Sequence, residues 1–123
     1  MKKIVIVEDD PMLIEIYSIK FTNCGFEVLI AKDGVEALEL IKKAKADIIL
    51  LDLQMPKVDG FEVTQKLRTD KAYSSDLKII IFSNLDKDSS IEKLKKCGHI
   101  DAFLVKTAFT PTEMVDEVNR ILL

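Results

Sequence analysis

Ile48-Ile49-Leu50-Leu51-Asp52 sets the frame for the whole chain. Four consecutive apolar residues fit a strand buried on both faces of a sheet. A carboxylate closes it. Three other runs end in the same way. Ile4–Val7 leads into Glu8, Asp9 and Asp10, Ile79–Phe82 into Ser83, and Phe103–Val105 into Lys106. Stretches of helical period separate them. The pattern predicts strands at about 3–8, 26–31, 47–52, 77–83 and 101–105, and helices at about 11–24, 34–45, 58–69, 87–97 and 111–122. Such alternation means an α/β fold, a parallel sheet with helices on both faces. Open sheets of this kind bind ligands outside the carboxyl ends of their strands. Two carboxylates, a hydroxyl and an ammonium are therefore expected at the one edge suited to chemistry.

Local signals agree with these boundaries. Thr110-Pro111-Thr112-Glu113 combines a cap, a proline at the first helical position and a glutamate at the third. Asp33 stands three residues before Glu36 in the same sense, and Gly25 and Gly98 follow the first and fourth helices. At 123 residues, 48% of them hydrophobic, the chain has the size and composition of one folded domain. A single domain over residues 1–123, with no output domain attached, is expected. A net charge of −3 argues against a general nucleic-acid binder. The apolar run after Met1-Lys2-Lys3 is too short for a signal sequence, and no run could span a bilayer. The expected location is cytoplasmic. Cys24 and Cys97 lack partners at metal-binding spacing and read as buried or partly buried free thiols, and His99 stands alone.

Glu8, Asp9 and Asp10 are three consecutive acids after a buried strand. A solvated loop capping the first helix is the plain explanation. Asp52, closing a second buried strand, argues for more. In a doubly wound sheet the first and third strands are neighbours, so Asp9 and Asp52 meet. Oxygen ligands of this kind suit Mg²⁺, or Mn²⁺ in its place. Glu8, Asp9 and Asp52 carry three negative charges, which Lys106 and one divalent cation would balance. A carboxylate is a competent covalent acceptor for a phosphoryl group, while an ammonium and a hydroxyl stabilise the transferred oxygens.

Val7-Glu8-Asp9-Asp10-Pro11, Leu51-Asp52-Leu53-Gln54-Met55-Pro56-Lys57-Val58-Asp59-Gly60, Ile81-Phe82-Ser83 and Phe103-Leu104-Val105-Lys106 follow one another at set separations. In this the whole chain resembles the receiver domain of two-component response regulators, in its single-domain chemotaxis-type form. The resemblance implies a flavodoxin-like (βα)5 fold with strand order 2-1-3-4-5. It implies that Asp52 is the phosphoacceptor, assisted by Lys106 and Ser83. Asp9, Asp52 and the backbone carbonyl of Gln54 would be the metal ligands, with Glu8 acting through water. Ser83 and Phe103 would be the switch residues. A sensor histidine kinase or phosphotransfer protein would be the donor and a separate output protein the reader, with no direct DNA or membrane binding.

The sequence departs from the family pattern at several positions. Asn84 follows the switch hydroxyl, where Ala or Gly is usual, and Phe103 replaces the frequent Tyr. Thr107 stands where Pro usually follows the lysine, and a cis bond there would cost about 2.5–4 kcal/mol. The Gly98–Phe103 segment is one residue longer than usual. In the first helix, Leu13, Tyr17, Phe21 and Cys24 form a stripe for the core, leaving Met12, Ile16 and Ile19 for a docking surface of the kinase. Lys87, Lys93, Lys95 and Lys96 gather on the fourth helix, as a solvated face or part of an output surface.

The leading function is thus a phosphorylation-activated signalling switch, with at most weak self-dephosphorylation and no other catalysis. A phosphate relay or sink, or a pseudo-receiver that only binds partners, are the alternatives. A flavodoxin-like cofactor site would need a Ser-, Thr- and Gly-rich loop where Glu8-Asp9-Asp10-Pro11 stands. An aspartyl-phosphate hydrolase would commonly carry a second acid at Gln54.

Overall fold

The computed structural model describes all 123 residues, Met1–Leu123. The elements run β1 Lys3–Val7, α1 Pro11–Asn23, β2 Glu27–Ala31, α2 Gly34–Ala44, β3 Ile48–Leu51, α3 Gly60–Thr69, β4 Lys78–Ser83, α4 Lys87–Leu94, β5 Ala102–Val105 and α5 Pro111–Leu122. All strand pairs are parallel, and the sheet order is β2-β1-β3-β4-β5. The fold is the expected flavodoxin-like one.

Alternation within each strand divides the core in two. Val5, Val7, Ile49, Leu51, Ile79, Ile81 and Phe103 face Ala37 and Ile41 of α2, Val63 and Leu67 of α3, and Leu94 of α4. Ile4, Ile6, Ile48, Leu50, Ile80, Phe82 and Leu104 face Tyr17 and Phe21 of α1 and Met114, Val115 and Val118 of α5. β1, β3 and β4 lie inside the sheet, which is why their runs are continuously apolar.

Boundaries follow caps more than periodicity. α5 begins with the full capping box, Thr110 Oγ1 accepting from Glu113 N and Glu113 Oε1 accepting from Thr110 N. α3 begins at Gly60, later than the expected 58, because Asp59 Oδ1 accepts from Glu62 N and Lys57 is left-handed at φ 67°. α4 ends at Leu94 rather than 97, and the chain turns through Lys95–Cys97 to Gly98 at φ 138°. A 3₁₀ turn, Lys106–Ala108, follows β5 where only a loop was expected. All peptide bonds are trans, Lys106–Thr107 included.

The stripe assigned to α1 needs one correction. Tyr17 and Phe21 are buried and Leu13 is half-buried, but Cys24 is exposed. Cys24 is the C-cap of α1, and the chain leaves the helix there for Gly25 at φ 92°. Cys97 is partly buried and free, as expected. Met12, Ile16 and Ile19 are exposed at 69%, 40% and 55%, so they do form an apolar surface on α1. No helix is long and apolar enough to cross a membrane.

Candidate functional site at the carboxyl edge of the sheet

The ladders of β1 with β3 and with β2 each continue one residue past the strands. Asp52 N donates to Val7 O at 3.2 Å, and Glu8 N donates to Ala31 O at 3.0 Å. These bonds fix both acids at the lip of the sheet, side by side. Glu8 and Asp52 are 5% and 6% exposed, whereas Asp9 faces solvent. Carboxylate oxygens of Glu8, Asp9 and Asp52 lie within 4.8 Å of one another.

Lys106 starts two strands away from Asp52, roughly 10 Å at ordinary strand spacing. The 3₁₀ turn after β5 and the length of the side chain together cover that distance. Its Nζ donates to Glu8 Oε1 at 2.7 Å, Glu8 Oε2 at 2.9 Å and Asp52 Oδ2 at 2.8 Å. All three ammonium donors are used. The ammonium also lies 5.9 Å from the centre of the Phe82 ring, which Tyr17 meets edge-on at 5.3 Å. The other Asp52 oxygen, Oδ1, accepts from Gln54 N at 3.1 Å, tying the β3–α3 loop to the acid.

The charges do not balance. Burial pushes Glu8 up to about 7, Lys106 pulls it down, and Asp52 pushes it up again. Burial acts to lower Lys106, but its bonds to Asp52 and Glu8 outweigh this and hold the ammonium above its ordinary range. Three clustered carboxylates against one ammonium, with Asp9 in no ion pair, leave the edge short of positive charge. An all-oxygen donor set of this kind fits Mg²⁺, which accepts one or two carboxylates and keeps its remaining waters.

The other sequence-selected residues divide. Ser83 closes β4 and is fully buried, with its Oγ accepting from Leu85 N at 3.2 Å. It forms no bond to Asp52 or Lys106. Phe103 is 7% exposed and packed into the α2–α3–α4 core. Met12, Ile16 and Ile19 sit on α1, outside the acidic cluster. Sequence reasoning missed the direct bond of Lys106 to both oxygens of Glu8, and it missed the backing ring of Phe82. The aromatic residue immediately before Ser83 was the available signal for the second.

The family model of the response regulator receiver domain matches residues 4–119. The chain belongs to the response regulator receiver domain family. This receiver domain is 38% identical to the DNA-binding dual master transcriptional regulator RpaA of Synechocystis sp., over 99% of its own length and 49% of RpaA. It is 33% identical to the alkaline phosphatase synthesis transcriptional regulatory protein PhoP of Bacillus subtilis, over 98% of its own length and 48% of PhoP. The chain thus spans about half the length of these curated relatives. Among solved structures, the chemotaxis protein CheY4 of Vibrio cholerae matches with a TM-score of 0.87 at 29% identity, covering 98% of both chains. Receiver domains are the phosphorylation switches of two-component signalling, and they bind Mg²⁺ at an acidic pocket such as the one formed by Glu8, Asp9 and Asp52.

Proposed function

We propose that the receiver domain accepts a phosphoryl group on Asp52 from a sensor histidine kinase or phosphotransfer protein. The observation that carries this reading is the Lys106 ammonium, held 2.8 Å from Asp52 Oδ2 beside the Glu8–Asp9 pair. An Asp52 oxygen forms the new P–O bond as the P–N bond of a phosphohistidine breaks, its electron pair passing to the imidazole nitrogen. Lys106 then bonds a phosphoryl oxygen in place of the carboxylate it now holds. Asp9, Asp52 and the Gln54 carbonyl would hold Mg²⁺, with Glu8 acting through water. When bound, the cation neutralises charge on the phosphoryl oxygens.

Ser83 is already inside the sheet edge, and its Oγ accepts from Leu85 N, which leaves the hydroxyl hydrogen to be donated to a phosphoryl oxygen. Turning the hydroxyl toward that oxygen pulls on the β4–α4 loop through Leu85 N. Phe103, with no hydroxyl to bury, is packed inward. The phosphoryl group biases the surface of α4, β5 and α5 only through contacts that differ between the two states. A separate protein reads that surface, and the cytoplasm is where kinase and reader meet it. Exposed apolar residues Met12, Ile16 and Ile19 are the docking face for the donor. The length of the DNA-binding regulator RpaA, about twice that of this chain, favours a second reading of the reader, a DNA-binding unit linked to the receiver. Intact-mass measurement after incubation with a small phosphodonor tests the acceptor chemistry. The mass of one phosphoryl group should appear with Mg²⁺, and not after its removal by chelation.

A further inference from the structure

The β3–α3 loop carries the Gln54 carbonyl and begins at Asp52. A second loop, from the β2 edge of the sheet, bears directly on it. Gly34, the first residue of α2, is buried. A Cβ at Gly34 would lie 1.9 Å from the Val58 carbonyl oxygen and 2.7 Å from its carbon. The two backbones therefore meet with no space for any side chain. At the far end of the loop, a Cβ at Gly60 would lie 2.5 Å from the Asp52 carbonyl oxygen and 2.6 Å from Leu53 Cα. The loop is pressed against the start of α2 at Val58 and closes on its own beginning, Asp52 and Leu53, at Gly60.

The residue beside Val58 adds a polar tie. Lys57 holds φ 67°, a left-handed conformation uncommon for a lysine. Its ammonium lies 3.4 Å from Asp33 Oδ2, while Asp33 Oδ1 accepts from Glu36 N at 2.8 Å and caps α2. One carboxylate thus fixes the start of α2 and reaches the loop. The loop in turn holds Asp52 Oδ1 through Gln54 N.

We propose that Gly34 and the Asp33–Lys57 pair are positioning residues for the Leu53–Asp59 loop, setting where the Gln54 carbonyl and the Asp52 carboxylate stand and hence how tightly the site binds a divalent cation. The proposal rests on the assignment of Asp52 and Gln54 as cation ligands. It assigns a role to three residues that touch neither the cation nor the phosphoryl group. A methyl group at Gly34 displaces the Val58 backbone, and the displacement passes along a loop too short and too confined to absorb it.

The test is Mg²⁺ titration of the whole chain, read by backbone amide shifts, in the wild type and in Gly34→Ala, Lys57→Met and Lys57→Arg. Gly34→Ala should bind Mg²⁺ about tenfold more weakly, the loss typical of removing support behind a ligand. Without Mg²⁺, its amide shifts should concentrate on residues 53–60. Lys57→Met should bind about two- to threefold more weakly, as fits an exposed ion pair, and Lys57→Arg should recover the wild-type value. Wild-type affinity in Gly34→Ala overturns the proposal, as do shifts along α2 with the loop unchanged. If Gly34→Ala does not fold, the lysine pair decides, and equal affinities of Lys57→Met and wild type overturn it. A wild type that binds no Mg²⁺ overturns the ligand assignment as well.

Discussion

Replacing Lys106 with methionine removes the one cation of the acidic edge while keeping an unbranched side chain that ends where the ammonium began. Three hydrogen bonds of 2.7–2.9 Å are lost, and the carboxylates of Glu8 and Asp52 stay buried without a counter-charge. Breaking a buried pair in this way costs about 3–5 kcal/mol. The cost depends on pH. Glu8 in the fold is pushed up to about 7 from a model-compound value of 4.5, so the folded state holds its proton more tightly than the unfolded chain. Stability of the metal-free wild type should therefore fall as pH rises through that window. Without Lys106 the downward pull on Glu8 disappears, and the decline extends above pH 7. Urea unfolding of metal-free Lys106→Met and wild type should show a deficit of about 3 kcal/mol or more at pH 8 that narrows at pH 5. Mg²⁺ should recover part of it at pH 8. A deficit under about 1 kcal/mol at pH 8, typical of an exposed pair, or a deficit that widens on acidification, would refute the reasoning.

Three further outcomes are expected. Asp9→Ala should weaken Mg²⁺ binding more than Glu8→Gln, because Lys106 occupies both Glu8 oxygens while Asp9 is free; isothermal titration of the two variants measures the order. Arg68→Ala should lower stability by about 2–4 kcal/mol in urea unfolding, since its guanidinium serves Leu77 O at 2.7 Å, His99 O at 2.8 Å and Asp101 Oδ2 at 3.3 Å together, and Arg68→Lys should recover little of it. A phosphoryl mimic with Mg²⁺ should shift the amides of Leu85, α4 and β5 beyond the immediate site in NMR spectra, because Ser83 Oγ, which accepts from Leu85 N, must turn to donate its hydrogen to the phosphoryl group.

The alternation of strands and helices and the gathering of Asp9, Asp52 and Lys106 at one edge of the sheet were legible because each depends on local patterns that repeat, while the strand order came with the resemblance to the receiver family. An apolar run and the residue that closes it are adjacent in sequence, and parallel packing does the rest. The cap at Thr110 was legible for the same reason. What stayed hidden depends on residues far apart. Lys106 and Glu8 are separated by 98 positions, and nothing at either one announces that all three ammonium donors are used. The 3₁₀ turn that begins at Lys106 is only three residues long and has no periodicity to read. Gly34 read as an ordinary helix start after a capping aspartate, because its contact, Val58, belongs to another loop. Cys24 fitted the helical stripe by spacing, but the helix ended before its side chain reached the core.

The central claim, that Asp52 takes the phosphoryl group, is tested most directly by mapping the modified residue. The domain is incubated with a small phosphodonor and Mg²⁺, the acyl phosphate is reduced with borohydride to the stable alcohol, and the peptides are sequenced by mass spectrometry. Homoserine should appear at position 52 and nowhere else, and Asp52→Asn should yield none. Reduction at Asp9 or Asp10 in the wild type, or an Asp52→Asn protein modified as fully as the wild type, would contradict the account.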